Sequence, residues 1–190
     1  ELYGSAGAPA GKQIPMIRWE MHGFFQQCLE RYEELIKANG GKVDWKPVPH
    51  PSIDDHQIPP EEFLQAGRLA KDFAKIVMKR LYGSRFVRFD HFWPLGDLAR
   101  NMSKWTKAHD RRMDRLMRHL KGTMDHALEG FLGDSPDDCA VVAYCDASFA
   151  DDLQTSKSTS GFFLAIIGPN TFMPIIAVSK KQSVVSHSST

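Results

Sequence analysis

Asp146 closes an apolar run, Val141-Val142-Ala143-Tyr144-Cys145, and so sets a carboxylate at the end of a hydrophobic strand. A carboxylate in apolar surroundings costs desolvation energy unless a partner or a cation offsets it. Mg²⁺ is a suitable cation, because it takes one or two carboxylates and leaves its other positions to water and phosphate. An aspartate that merely caps or turns the strand is the plain alternative. Asp151 and Asp152 follow in what reads as a loop, where solvation is the default. A second group is basic. Lys104, Lys107, Arg111, Arg115 and Arg118 recur at three- and four-residue steps, so they share one side of a helix. Spaced Lys and Arg suit contact with a phosphate backbone without reading sequence. A solvated charged face is the other reading of such a stripe.

The net charge of +1 conceals this division. Between Arg100 and Lys121 only Asp110 and Asp114 oppose the basic residues, whereas from Asp134 to Asp152 every charged residue is acidic. That asymmetry places a phosphate-facing helix and a carboxylate site in one chain. Trp93 and Trp105 read as core anchors rather than stacking platforms, and Met113, Met117 and Met124 as a core stripe.

Cys28, Cys139 and Cys145 form no C-x-x-C pair and no disulfide framework, which points to a reducing compartment. No histidine has zinc spacing with a cysteine pair. No apolar run approaches the ~20 residues that span a bilayer, so no membrane partner is expected. The chain opens at Glu1 with no signal-peptide pattern and reads as an internal start. The expected location is intracellular, in a cytoplasmic particle or the nucleus, and not secreted.

Positioning these residues requires a helical part followed by strands. Glu1 to Lys12 is Gly/Ala/Pro-rich. Pro15 to Asn39 reads as a helix, with Phe24, Phe25, Cys28, Leu29, Tyr32, Leu35 and Ile36 on its apolar face. Val43 to Pro60 contains Pro47, Pro49, Pro51, Pro59 and Pro60 and reads as an extended connector. Helices are predicted over Glu61 to Tyr82, over Phe86 to Met102 with an interruption near Pro94, and over Lys104 to Asp125. Gly130 to Asp138 is the linker. Cys139 to Asp146, Gly161 to Gly168 and Phe172 to Lys180 are predicted strands, the last two joined by a Gly168-Pro169-Asn170 turn. The first strand, apolar on both faces, is expected at the centre of its sheet.

Four ordered segments carry a family resemblance. Asp146-Ala147-Ser148-Phe149-Ala150-Asp151, Lys157-Ser158-Thr159-Ser160-Gly161, Ser179-Lys180-Lys181-Gln182 and Ser186-His187-Ser188-Ser189-Thr190 resemble the start of ribonuclease H in copia-type LTR retrotransposon Pol polyproteins. Upstream, Arg88-Phe89-Asp90, Leu98 to Lys104 and His119-Leu120-Lys121-Gly122-Thr123 are similar to segments between reverse transcriptase and ribonuclease H in the same polyproteins. Asp151 departs from the family, which has Gly there before an Asp, and Phe89 stands in place of a Pro.

The resemblance implies an α+β chain: an N-terminal helical thumb/connection region plus an incomplete three-stranded ribonuclease H-like mixed sheet. The expected boundaries are 1–60 for the end of the reverse-transcriptase region, 61–130 for the thumb/connection and 137–190 for the ribonuclease H part. It makes Asp146 the first of four carboxylates that hold two Mg²⁺ in the intact parent, and RNA–DNA hybrid and the rest of the polyprotein the partners. The parent would copy RNA into DNA and cleave the RNA of the hybrid. With no polymerase palm and no further carboxylates of that set, this fragment is expected to be silent in both reactions and to bind no Mg²⁺ tightly. The alternative is a non-enzymatic nucleic-acid-binding remnant of a decayed element. Exposed apolar surface is expected along Phe162 to Ile167 or Phe172 to Val178.

Overall fold

The computed structural model describes residues 14–68, 70–148 and 157–183. It is an α+β protein with four α-helices and a five-stranded sheet. The strands are β1 (Met16–Trp19), β2 (Leu128–Phe131), β3 (Ala140–Ser148), β4 (Thr159–Gly168) and β5 (Thr171–Lys181). The helices are α1 (His22–Ala38), α2 (Ala70–Ser84), α3 (Phe92–Arg100) and α4 (Lys107–Gly122). Two compact units result. One is helical, Glu20–His126; the other gathers the described residues of Glu1–Trp19 and Ala127–Thr190 around the sheet.

In the helical unit the apolar faces do the work that helical periodicity assigns them. Phe25, Cys28, Leu29, Tyr32 and Leu35 of α1 are buried, as are Met113, Leu116, Met117 and Leu120 of α4. Tyr32 and Phe73 pack with ring centroids 5.5 Å apart, and Phe73 meets Trp105 edge-on at 5.8 Å. Gly40 ends α1 with φ of 72°, the left-handed conformation that glycine adopts without strain. The long helix expected over Glu61 to Tyr82 is broken. A 3₁₀ turn covers Pro60–Phe63, and α2 begins only at Ala70. Between them Gly67 N–H donates to Trp105 O, and Lys107 N–H to Gln65 O, so backbone groups that a helix would have used are satisfied across the chain. A Cβ on Gly67 would lie 2.5 Å from the Trp105 side chain, which is why this crossing needs glycine. Pro94 does not interrupt α3. It lies in the first turn, where the missing N–H has no intrahelical partner to lose.

The sheet order is β1-β2-β5-β4-β3, and every pairing is antiparallel. The three predicted strands are present, and β4–β5 is a tight hairpin through Pro169-Asn170, with Gly168 opposite Thr171. Two further strands correct the expected three-stranded mixed sheet. β1 falls within the stretch read as the first helix, and β2 overlaps the start of the presumed linker. Four-residue strands are too short to display a period of two. Pro174 is tolerated in the interior strand β5 because the register slips there: Ala165 faces Pro174 and Leu164 faces Ile176, leaving Ile175 as the extra residue of a bulge. The hairpin tip is tied down by Asp134, which accepts from Asn170 N at 2.6 Å and Asn170 Nδ2 at 2.9 Å.

β3 is an edge strand, not a central one. β4 is its neighbour, and Val141, Tyr144, Cys145 and Asp146 are all exposed. A strand apolar on both faces indicates affinity for cover on both faces; it does not specify that the cover lies within this chain. Ile175, Ile176 and Val178 of β5 are also exposed, at the second of the two places where apolar surface was expected.

Candidate functional site

The two groups singled out in the sequence fall in different units. In the sheet unit, register brings three of the family-like segments into one row. Asp146 on β3 lies opposite Gly161 on β4, and Gly161 lies opposite Ser179 on β5. The row is closed at the strand ends by Gln182, whose N–H donates to Ser158 O at 2.8 Å and whose Nε2 donates to Ser160 Oγ at 3.0 Å. Ser158 is buried beneath these contacts.

Asp146 Oδ1 accepts from the N–H of Ala147 at 2.8 Å, so one carboxylate oxygen caps the strand. Among the described residues no second carboxylate, His or Cys joins it in a cluster with metal-ligand spacing. The site as described does not fit a two-Mg²⁺ centre. Asp151, Asp152 and Ser186 to Thr190 lie outside the described residues.

In the helical unit α4 carries Lys107, Arg111, Arg115 and Arg118, and its arginines grip protein. Lys104, which the spacing placed on the same helix, instead ends a separate 3₁₀ turn, Met102–Lys104. Arg111 forms a forked pair with Glu62, with Nε 2.9 Å from Oε2 and Nη2 2.6 Å from Oε1. That guanidinium holds the Glu62 carboxyl below its ordinary range. Arg115 Nε donates to the carbonyls of His50 and Ser52, and Arg118 Nε to that of Lys46 at 2.8 Å. Arg112 bridges Asp97 and Asp55. The proline-rich connector forms no helix or strand from Val43 to Asp54; α4 supplies donors to three of its carbonyls. Lys104 and Lys107, by contrast, are exposed and make no ion pair among the described residues. They are the members of the stripe left for an external anion.

A network that sequence reasoning missed lies under the α2–α3 turn. Arg88 is almost wholly buried. Its Nε and Nη2 fork onto Asp90 at 2.9 and 2.7 Å, its Nη1 reaches Thr123 O at 3.1 Å, and Nη2 reaches Thr123 Oγ1 at 2.8 Å. Buried Arg80 contacts His91 Nδ1. His91 Nε2 in turn lies 2.9 Å from Arg88 Nη2 and 2.8 Å from His119 Nδ1. A guanidinium only donates, so a ring nitrogen that accepts from either arginine carries no proton, and an imidazolium could accept from neither. His91 is therefore neutral beside His119. Burial pushes both pKa values down, and the neighbouring guanidiniums push them further. Burial also lowers Arg80 to about 10, which leaves it charged at neutral pH. Its cation lies over the Phe25 ring at 4.6 Å.

Asp90, His91 and His119 gather ligand atoms within 4.8 Å of one another. Arg88 Nη2 already stands among them, 2.7 Å from Asp90 Oδ2 and 2.9 Å from His91 Nε2. A metal there would face a fixed positive charge, so the cluster is a cation site filled by the protein's own guanidinium. The only hint in the sequence was that Arg88 to Asp90 and His119 to Thr123 each resemble a family segment; nothing in their spacing showed that they meet.

No protein-family model and no solved structure matches the chain. Two curated relatives do, both from Arabidopsis thaliana. One is an uncharacterized mitochondrial protein, 30% identical over 163 residues, which are 84% of this chain and 62% of the relative. The other is a retrovirus-related Pol polyprotein from transposon RE2, 33% identical over 162 residues, which are 84% of this chain and 10% of that polyprotein. The chain thus spans about three-fifths of the first relative and a tenth of the second. By sequence, the chain is similar to a tenth of a retrotransposon Pol polyprotein.

Proposed function

We propose that the chain is the part of a retroelement polyprotein that runs from the end of reverse transcriptase into the start of ribonuclease H, and that it has neither activity alone. The reading is carried by the Asp146–Gly161–Ser179 row: three segments with family-like sequence, far apart in the chain, meet at one end of an antiparallel sheet. Metal-dependent cleavage of RNA in a hybrid uses carboxylates to hold two ions about 4 Å apart. Asp146 supplies one such group, and the described residues bring it no second. In the intact parent, Asp146 would contribute to an Mg²⁺ site completed by other residues, with RNA–DNA hybrid as substrate. The full chain and its Asp146→Asn variant are expected to leave a labelled RNA–DNA hybrid equally intact in Mg²⁺. Cleavage by the chain that the substitution abolishes would overturn the silence of the fragment.

A second reading, a nucleic-acid-binding remnant, is favoured by the free exposure of Lys104 and Lys107. Backbone phosphate contact by two lysines predicts weak hybrid-duplex binding that falls with salt. Arg111, Arg115 and Arg118 would contribute less, because Glu62 and the connector carbonyls already engage them.

A further inference from the structure

The outer face of α2 exposes a row of apolar side chains that the helical core does not use. Met78, Tyr82 and Phe86 follow one another at four-residue steps along α2 and the turn after it, with relative exposures of 57%, 56% and 49%. Phe24 of α1 extends the row. Its ring lies 6.0 Å from that of Tyr82, which lies 5.1 Å from that of Phe86. The rings are held in place. Gly83 packs so closely under α1 that a Cβ there would lie 2.7 Å from ring carbons of both Phe24 and Phe25.

Beyond its first turn α2 carries only basic charges, and Arg85 follows it. Lys79 sits 4.9 Å over the Phe24 ring and donates to Gln27 at 2.9 Å. Lys75 and Arg85 are exposed, and their side chains make no ion pair among the described residues. The sole carboxylate of α2, Asp72, is in its first turn, away from the rings. Exposed aromatic side chains, Tyr82 and Phe86, set beside a half-buried Phe24 and flanked by cations of α2 match the demands of a single nucleic-acid strand. Bases stack on rings whatever their identity, and the cations neutralise the backbone. An apolar protein partner would gain nothing from the flanking lysine and arginine.

We infer that Phe24, Tyr82 and Phe86, with Lys75, Lys79 and Arg85, form a stacking surface for single-stranded nucleic acid. The site is separate from Lys104 and Lys107 and needs no duplex, so it stands or falls apart from the hybrid-binding reading. The test is fluorescence-anisotropy binding of a fluorescein-labelled oligothymidylate to the full chain across a salt series. Tyr82→Ser and Phe86→Ser are each expected to weaken binding roughly 5- to 100-fold, the range measured for lost base–aromatic stacks, with the far-UV circular dichroism unchanged. Tyr82→Trp should retain or tighten binding, and Arg85→Gln should reduce the salt slope by about one. Absence of binding, or binding indifferent to both ring substitutions, overturns the inference. So does a Tyr82→Ser variant that loses self-association in sedimentation while its oligonucleotide affinity is unchanged, since the face would then dock protein.

Discussion

Mild acid should destabilise the helical unit, and the reason lies in its buried imidazoles. His91, His109 and His119 all have pKa values pushed down in the folded protein, by burial first in each case. A group whose folded pKa is depressed binds its proton more readily when unfolded, so stability is intact above the unfolded value and falls as pH drops below it. Taking an unfolded histidine pKa of about 6.5, one imidazole that stays neutral in the fold removes about 1.2 kcal/mol of stability between pH 7 and pH 5.5. His91 should deliver that full amount, because protonating it would set a third positive charge between Arg80 and Arg88. His109, whose Nδ1 accepts from the N–H of Thr106 at 3.0 Å, and His119 add in the same direction. Glu62 and Glu33, held below their usual range, cost stability at lower pH, and Asp114, raised by burial, acts in the opposite direction to the histidines. Urea unfolding followed by helical circular dichroism reads the correct unit, since α1 to α4 all lie within Glu20–His126. The His91→Gln variant, though less stable at pH 7, should lose about 1.2 kcal/mol less over the same interval. Stability that is level from pH 7 to 5.5, or a slope that His91→Gln leaves unchanged, would refute the neutral-imidazole network.

Two further outcomes follow from single contacts. Arg112→Met should destabilise the helical unit by about 3 kcal/mol, because it leaves part-buried Asp97 without the guanidinium 2.6 Å away; adding Asp97→Asn should recover part of the loss in a urea double-mutant cycle. Val141→Lys, at a residue 68% exposed on the sheet edge, should slow aggregation measured by light scattering while changing stability by no more than about 0.5 kcal/mol.

Long periodic segments were legible, and segments whose state is decided by a distant partner were not. The apolar face of α4 shows in the sequence because Met113, Leu116, Met117 and Leu120 repeat with the helix, and all four are buried. The β4–β5 hairpin shows because Pro169-Asn170 leaves the chain little choice but to turn. β1 does not show, since Met-Ile-Arg-Trp becomes a strand by pairing with residues more than a hundred positions away, Met16 with Phe131 and Trp19 with Leu128. The same division runs through the candidate site. Asp146 is visible as a carboxylate after an apolar run, but that β3 lies at an edge depends on what pairs beside it. The arginine stripe is visible as spacing, yet the spacing cannot say whether the guanidiniums face solvent or another part of the chain. Here the answer came from the connector: a proline-rich segment without helix or strand must find donors elsewhere, and Arg115 and Arg118 are those donors. A basic helix preceded by such a segment in the same chain is therefore a structural clasp first and a nucleic-acid surface second. Within the stripe, Lys104 and Lys107, which neither the connector nor Glu62 engages, carry the question of binding further.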